Sequence, residues 1–226
     1  MANPTSGLQA TTRVAEILRE AIRAGEMAPG HRLVELDLAE QFGVTRAAVR
    51  AALLDLTAQG LVERIANRGA RVRLIPLAEA LQIVECRAVL EGLCAARAAE
   101  RAGDEDRAEL RELGELMRTA VAAGQVMAYS ALNQQLHAHI LRLSGQQVAS
   151  TLLERLNAQT VRHQFRLSLR PGRPQTSLPE HLALIDAVCS GDAGAAELAA
   201  RNHLASVAEA LRRSTESTSD ESKGRR

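Results

Sequence analysis

Aromatic residues are almost missing from this chain. Phe42, Tyr129 and Phe165 are all it has in 226 residues, and there is no tryptophan. Proteins that hold single-stranded nucleic acid stack its bases on aromatic faces. That class is therefore disfavoured, and any nucleic-acid partner is better read as duplex DNA. Long apolar runs are missing too. None approaches the roughly 18 residues that span a bilayer, and residues 1–7 lack the apolar core of a secretory signal. No membrane association is expected, and the chain reads as cytoplasmic. Cysteine is scarce: Cys86, Cys94 and Cys189 are scattered, odd in number and without metal-finger or redox spacing. They read as buried free thiols in a reducing compartment. Net charge is nearly absent as well, at +1, so charge alone does not announce nucleic acid.

What is present is a local basic excess. Between Phe42 and Arg73 six arginines (46, 50, 64, 68, 71 and 73) face two acids, Asp55 and Glu63, whereas residues 76–212 carry 14 arginines against 16 acids. The rest of the composition, 46% hydrophobic and 24% charged, is that of a globular protein.

The same basic stretch has helix-turn-helix grammar. Residues 8–24 read as an amphipathic helix on Val14, Ile17, Leu18, Ala21 and Ile22. Pro29-Gly30 turns the chain, and 34–42 reads as a short second helix. Gly43-Val44 makes the next turn, and Thr45 is a good N-cap for a third helix to about Gln59. Val49, Ala52, Leu53 and Leu56 form its buried stripe. Arg46 and Arg50 lie four apart and so share the opposite face. Arginine is the commonest reader of guanine in the major groove, and Thr45 with the free helix-start N–H groups suits a phosphate. Residues 61–65 and 70–74 read as a hairpin around Asn67-Arg68-Gly69, whose Arg68 is placed to touch the minor groove or the backbone.

After Pro76 every segment reads as helix, about 77–102, 104–123, 126–143, 146–169, 178–190 and 193–211, with short Gly, Ser or Pro breaks. The predicted fold is mainly α: an N-terminal winged helix-turn-helix (8–75) and a C-terminal antiparallel six-helix bundle (76–212). Residues 1–7 and the polar tail 213–226 are predicted to be disordered.

Four polar residues stand out in the bundle. Asn133 and His137 are four apart, on a face that also carries Leu136 and Ile140 and so points inward. His181 begins the next-to-last predicted helix, and His203 lies midway along the last. Three imidazoles and an amide oxygen converging from three helices suit a divalent metal. His31, His139 and His163 read as ordinary residues. Arg87, on the first bundle helix, is a candidate carboxylate-binding arginine; its alternative is an ion pair with Glu91. Arg162 and Arg166 are further candidates.

Residues 13–75 resemble the GntR family of bacterial regulators through Pro29-Gly30-His31-Arg32-Leu33, Leu38-Ala39-Glu40-Gln41-Phe42-Gly43-Val44-Thr45-Arg46 and Gly60-Leu61-Val62. The resemblance implies that Arg46 and Arg50 read the operator, with Arg32, Thr45, Asn67 and Arg68 also at the DNA. The chain departs from the family pattern at Ala47-Ala48, where Thr-Pro is common, at Ala51, where Glu is usual, and at Leu36, where some members have an arginine. Residues 77–211 resemble the FCD effector domain of the FadR-type branch through Glu85-Cys86-Arg87, Leu90-Glu91, Asn133 to His137, Glu180-His181-Leu182, Gly191-Asp192 and His203. The six-helix count is similar to the VanR-type subgroup. This resemblance implies a metal, zinc or nickel, at Asn133, His137, His181 and His203, with Asn133 in place of the commoner Asp and Leu136 in place of a Phe. It also implies a small carboxylate effector, a homodimer and a palindromic duplex operator.

The function these features point to is a metabolite-responsive transcriptional regulator, read as a repressor and not an enzyme. Two alternatives differ in the bundle: the same regulator with a structural metal or none, or a metal-dependent hydrolase. The hydrolase lacks a carboxylate base beside the ligands of the His-Glu-x-x-His kind, a nucleophile elbow and a phosphate-binding glycine loop.

Overall fold

The computed structural model describes residues 4–65, 69–168 and 170–223. Contacts divide the chain into two compact units, Met1–Ile75 with Asn157–Arg162, and Pro76–Leu156 with His163–Arg226.

The first unit runs α1 (Pro4–Arg23), β1 (Arg32–Leu33), α2 (Glu35–Phe42), α3 (Arg46–Ala58), β2 (Val62–Ile65) and β3 (Gly69–Val72). Its core is the apolar stripe of each helix: Val14, Leu18 and Ile22 of α1, Leu38 of α2, and Val49, Leu53 and Leu56 of α3, closed by Leu33, Val62 and Val72 from the strands. Gly43 follows α2 in the left-handed region at φ 62°, where its N–H reaches the Ala39 and Glu40 carbonyls. Glycine takes that conformation without the Cβ penalty, and it turns the chain sharply into α3. The Thr45 hydroxyl then accepts the Ala48 N–H at 3.2 Å and caps α3.

The antiparallel sheet has the order β1-β3-β2, with Val62 opposite Val72 and Ile65 opposite Gly69 in the hairpin. Strand β1, pairing Arg32 with Arg71 and Leu33 with Ala70, is not foreseen from sequence. Two residues are too few to show a strand period, and β1 exists only because β3 offers a free edge. The hairpin tip, with Asn67 and Arg68, lies outside the described residues.

The second unit holds α4 (Leu77–Arg101), α5 (Asp104–Ala122), α6 (Val126–Ser144), α7 (Gln147–Ser168), α8 (Arg173–Ser190) and α9 (Ala193–Lys223). Helix α4 packs most extensively along α9, and also against α6 and α8. Alanines 80, 95, 98 and 99 on α4 and 196, 200 and 208 on α9 are all buried. Such small side chains let helix axes approach closely. Leu110, Met117, Leu136, Ile140, Leu184 and Val188 fill the rest of the core. No helix among the described residues is long and apolar enough to cross a membrane.

Helix α1 begins at Pro4 and α9 runs to Lys223. Two expectations need correction. Helix α8 begins at Arg173, not 178, so His181 sits two turns inside it. Pro174 occupies the first turn, where its fixed φ and missing N–H are tolerated; Pro179 lies within the helix and removes one later N–H. Finally, Cys94 and Cys189 are buried but Cys86 is exposed, on the same outer side of α4 as Val89 and Leu93.

Candidate functional site

On the first unit, the cap and turn around α3 set its outer face. Arg46 and Arg50 project there with side-chain exposures of 62% and 54%. Both flank a carboxylate that the sequence reading missed. Glu35, the first residue of α2, accepts Arg50 Nη2 at 2.8 Å and lies 4.0 Å from Arg46 Nη2. The hydrogen bond from Arg50, with the charges of Arg50, Arg46 and Arg64, outweighs desolvation and holds the Glu35 carboxyl below the ordinary range. Arg32 is exposed on β1. Arg71 beside it on the sheet pairs with Glu63 across the hairpin at 2.6 Å. The result is an exposed basic surface at the start of α3, with charge that suits the phosphates and base edges of duplex DNA.

In the second unit, α6, α8 and α9 bring His137, His181 and His203 together, with one ligand atom from each within 4.8 Å of the others. Ring centroids are 4.4 Å apart for His181 and His203 and 5.5 Å for each of the other pairs. Asn133 lies one turn before His137 on α6, and its Oδ1 is buried without a partner among the described residues. His139 takes another direction, with Nδ1 3.4 Å from Glu109.

Each imidazole is held through Nδ1 by a different group. His137 Nδ1 is 3.3 Å from Glu91 Oε2. Glu91 in turn accepts Arg87 Nε at 2.9 Å and Nη2 at 2.7 Å. Arg87 thus forms the ion pair that the sequence offers as the alternative to ligand binding. His203 Nδ1 is 2.8 Å from Glu180 Oε2, which also lies 3.5 Å from Arg173 Nη2. His181 Nδ1 is 2.8 Å from the Tyr129 hydroxyl, which is 2.7 Å from Ser177 Oγ.

One proton order leaves no donor of the last chain without an acceptor. Ser177 Oγ donates to the Arg173 carbonyl at 3.1 Å, which only accepts, Tyr129 donates to Ser177, and His181 Nδ1–H donates to Tyr129. That leaves His181 Nε2 as a bare lone pair, buried and without a partner among the described residues. A buried polar atom left unsatisfied is rare and costly. His181 Nε2, in the three-imidazole group, and Asn133 Oδ1, one turn before His137, are two such atoms, and imidazole nitrogen with amide oxygen is a donor set that a divalent cation accepts.

The charges agree. Burial, with the neighbouring His203 and His137, pushes His181 well below the ordinary imidazole range. Burial lowers His203 too, against the opposing pull of Glu180. Burial works against ionisation of Glu91, but Arg87 and His137 more than offset it. Glu180 is likewise held low by His203, Ser206 and Arg173 against its own burial. His203, whose proton burial disfavours and whose Nδ1 is backed by the ionised Glu180, has the form of a good ligand. Burial pushes the Tyr129 hydroxyl up to about 12, so it keeps its proton.

Comparison with known proteins decides the family. The model for bacterial regulatory proteins of the gntR family matches residues 10–72, and that for the FCD domain matches residues 82–206. The HTH-type transcriptional repressor RspR of Escherichia coli (strain K12) is 27% identical over 218 residues, covering 96% of this chain and 95% of the relative. The HTH-type transcriptional regulator LutR of Bacillus subtilis (strain 168) is 31% identical, covering 84% and 95%. The chain belongs to the GntR family, with an FCD domain. It is a DNA-binding transcriptional regulator, and its relatives are regulators rather than enzymes. The solved structure of E. coli McbR/YncC, at 22% identity, shares its fold with a TM-score of 0.74 over 95% of this chain and 100% of that one.

Among the site residues expected from sequence, the structure gathers the three histidines and exposes Arg46 and Arg50 around one carboxylate. The side chains of Arg162 and Arg166 lie outside the described ones. Sequence reasoning missed the groups that hold the sites: Glu35, Glu180, Tyr129 and Ser177. Tyr129 and Ser177 stand one turn before Asn133 and His181, and that spacing was the available signal.

Proposed function

We propose that this regulator is a repressor whose operator affinity responds to a small organic acid bound at a divalent metal in its FCD domain. His137, His181, His203 and Asn133 would hold the ion, zinc or nickel, and the ion would supply positive charge and open coordination positions for a carboxylate. Arg87 serves the cage through Glu91 and His137, while Arg162 and Arg166 are the cations offered to the acid. Arg46 and Arg50 read base edges, and Thr45, Arg32, Asn67 and Arg68 contact the backbone or minor groove. The DNA-binding domain spans 8–75 and the effector domain 76–212, in a cytoplasmic homodimer that presents two recognition helices to a palindromic duplex.

The observation that carries the metal reading is the buried His181 Nε2, without a partner among the described residues, in a group where each imidazole is already held through Nδ1. Metal analysis of protein purified without a histidine tag tests it. About one zinc or nickel per chain, lost in His137→Ala, is the expected result. An empty wild-type protein, or one whose response to acids and thermal stability survive His137→Ala unchanged, makes the metal absent or irrelevant to signalling.

A further inference from the structure

We infer that Glu35 is a positioning residue that sets how Arg50 reads base edges. The inference rests on the proposed reading of Arg46 and Arg50 as base-reading side chains. Arg50 offers Nε to both carboxylate oxygens of Glu35, at 3.1 and 3.2 Å, and Nη2 to Oε2 at 2.8 Å. That occupies one forked edge of the guanidinium. The other edge, Nη1 with the second hydrogen of Nη2, is not engaged by Glu35, and it is an edge of this kind that matches O6 and N7 of guanine. The carboxylate is 17% exposed while the arginine is 54% exposed, so the anchor is sheltered and the reading edge is carried on the outside. A long side chain held this way has lost its rotamer freedom before DNA arrives.

The surrounding charge adds a second effect. Arg46 lies 4.0 Å from the same oxygen, and Arg64 of β2 lines the same hollow as Glu35 and Arg50. One anion thus sits among three cations drawn from α3 and the wing. Cations gather phosphate without regard to sequence. An anion among them weakens binding to any duplex while the tethered fork keeps its grip on guanine. Glu35 therefore raises the ratio of specific to non-specific binding from both sides.

The test uses the full-length protein and a duplex recovered from a randomised pool by the wild type. Each guanine of that duplex is replaced singly, and affinities are measured by fluorescence anisotropy over a range of salt. Wild type is expected to discriminate about tenfold or more at one or more guanines, and Arg50→Ala to lose that preference. Glu35→Gln is expected to lose most of it too, while binding an unrelated duplex as tightly as wild type or more tightly, with a salt dependence no shallower. Discrimination by Glu35→Gln equal to wild type overturns the positioning role and leaves the reading of Arg50 intact. Equal weakening of Glu35→Gln on both duplexes also overturns it, because that is the mark of a structural residue. Discrimination retained by Arg50→Ala removes the reading of Arg50 and the inference with it.

Discussion

Arg87 and Glu91 are both buried, each with 9% of its side chain exposed. Breaking such a pair leaves a charge in the core without compensation, whereas replacing both partners with apolar groups is often nearly neutral. Arg87→Met should therefore cost about 3 kcal/mol of unfolding free energy, and adding Glu91→Leu should recover much of it. Urea titrations of the two variants check this; equal stability of Arg87→Met and wild type would show that the pair is not a structural tie. Tyr129 gives a separate prediction. Phenylalanine keeps the ring but removes the acceptor for His181 Nδ1–H. Loss of such an outer partner typically costs 10–100-fold in metal affinity. A competitive titration against a chromophoric chelator should show that loss in Tyr129→Phe, with the protein still folded.

Element by element, what the sequence made legible depended on how each signal is carried. Helix α3 was legible because cap, stripe and glycine turn are local. Its cap predicts that Thr45→Ala costs about 1 kcal/mol while Thr45→Ser is nearly neutral, measured by chemical unfolding. Helix α8 was placed five residues late because Pro179 reads locally as a helix start, while its true first turn carries Pro174. Strand β1 was illegible because its pairing with β3 is a tertiary event. The three histidines were found from spacing and resemblance together. Their supports were not, because Glu180 reaches His203 across 23 positions and Tyr129 reaches His181 across 52, and no periodicity within one helix encodes such a contact.

At the scale of the whole molecule, buried histidines and paired carboxylates make acid the vulnerable direction. His181 and His203 titrate below the ordinary range when folded, chiefly through burial. The unfolded chain, with imidazoles near about 6.5, then binds more protons than the folded one. Stability is full above that value and declines as pH falls through it. The depressed Glu91 and Glu180 add a further loss as pH falls through the carboxylate range. Chelator-treated protein should therefore lose stability from about pH 6.5 downward, and the double variant His181→Gln, His203→Gln should show a smaller first decline, what remains coming from His139, which burial also lowers; denaturant midpoints against pH read it directly. Metal-loaded protein should release its ion over the same range, since protons compete for the ligands.

Regulation by a ligand needs a coupling of only about 1–3 kcal/mol, 5–150-fold, between effector and operator. In the proposed function this coupling runs through the histidine cage. The most direct measurement is operator affinity of the untagged protein by fluorescence anisotropy, across a panel of small organic acids, with the metal present and after chelation. The account predicts at least one acid that changes operator affinity at least fivefold in the metal-loaded wild type, and has no effect after chelation or in His137→Ala. An acid that shifts operator affinity equally in the loaded, chelated and His137→Ala proteins would contradict it.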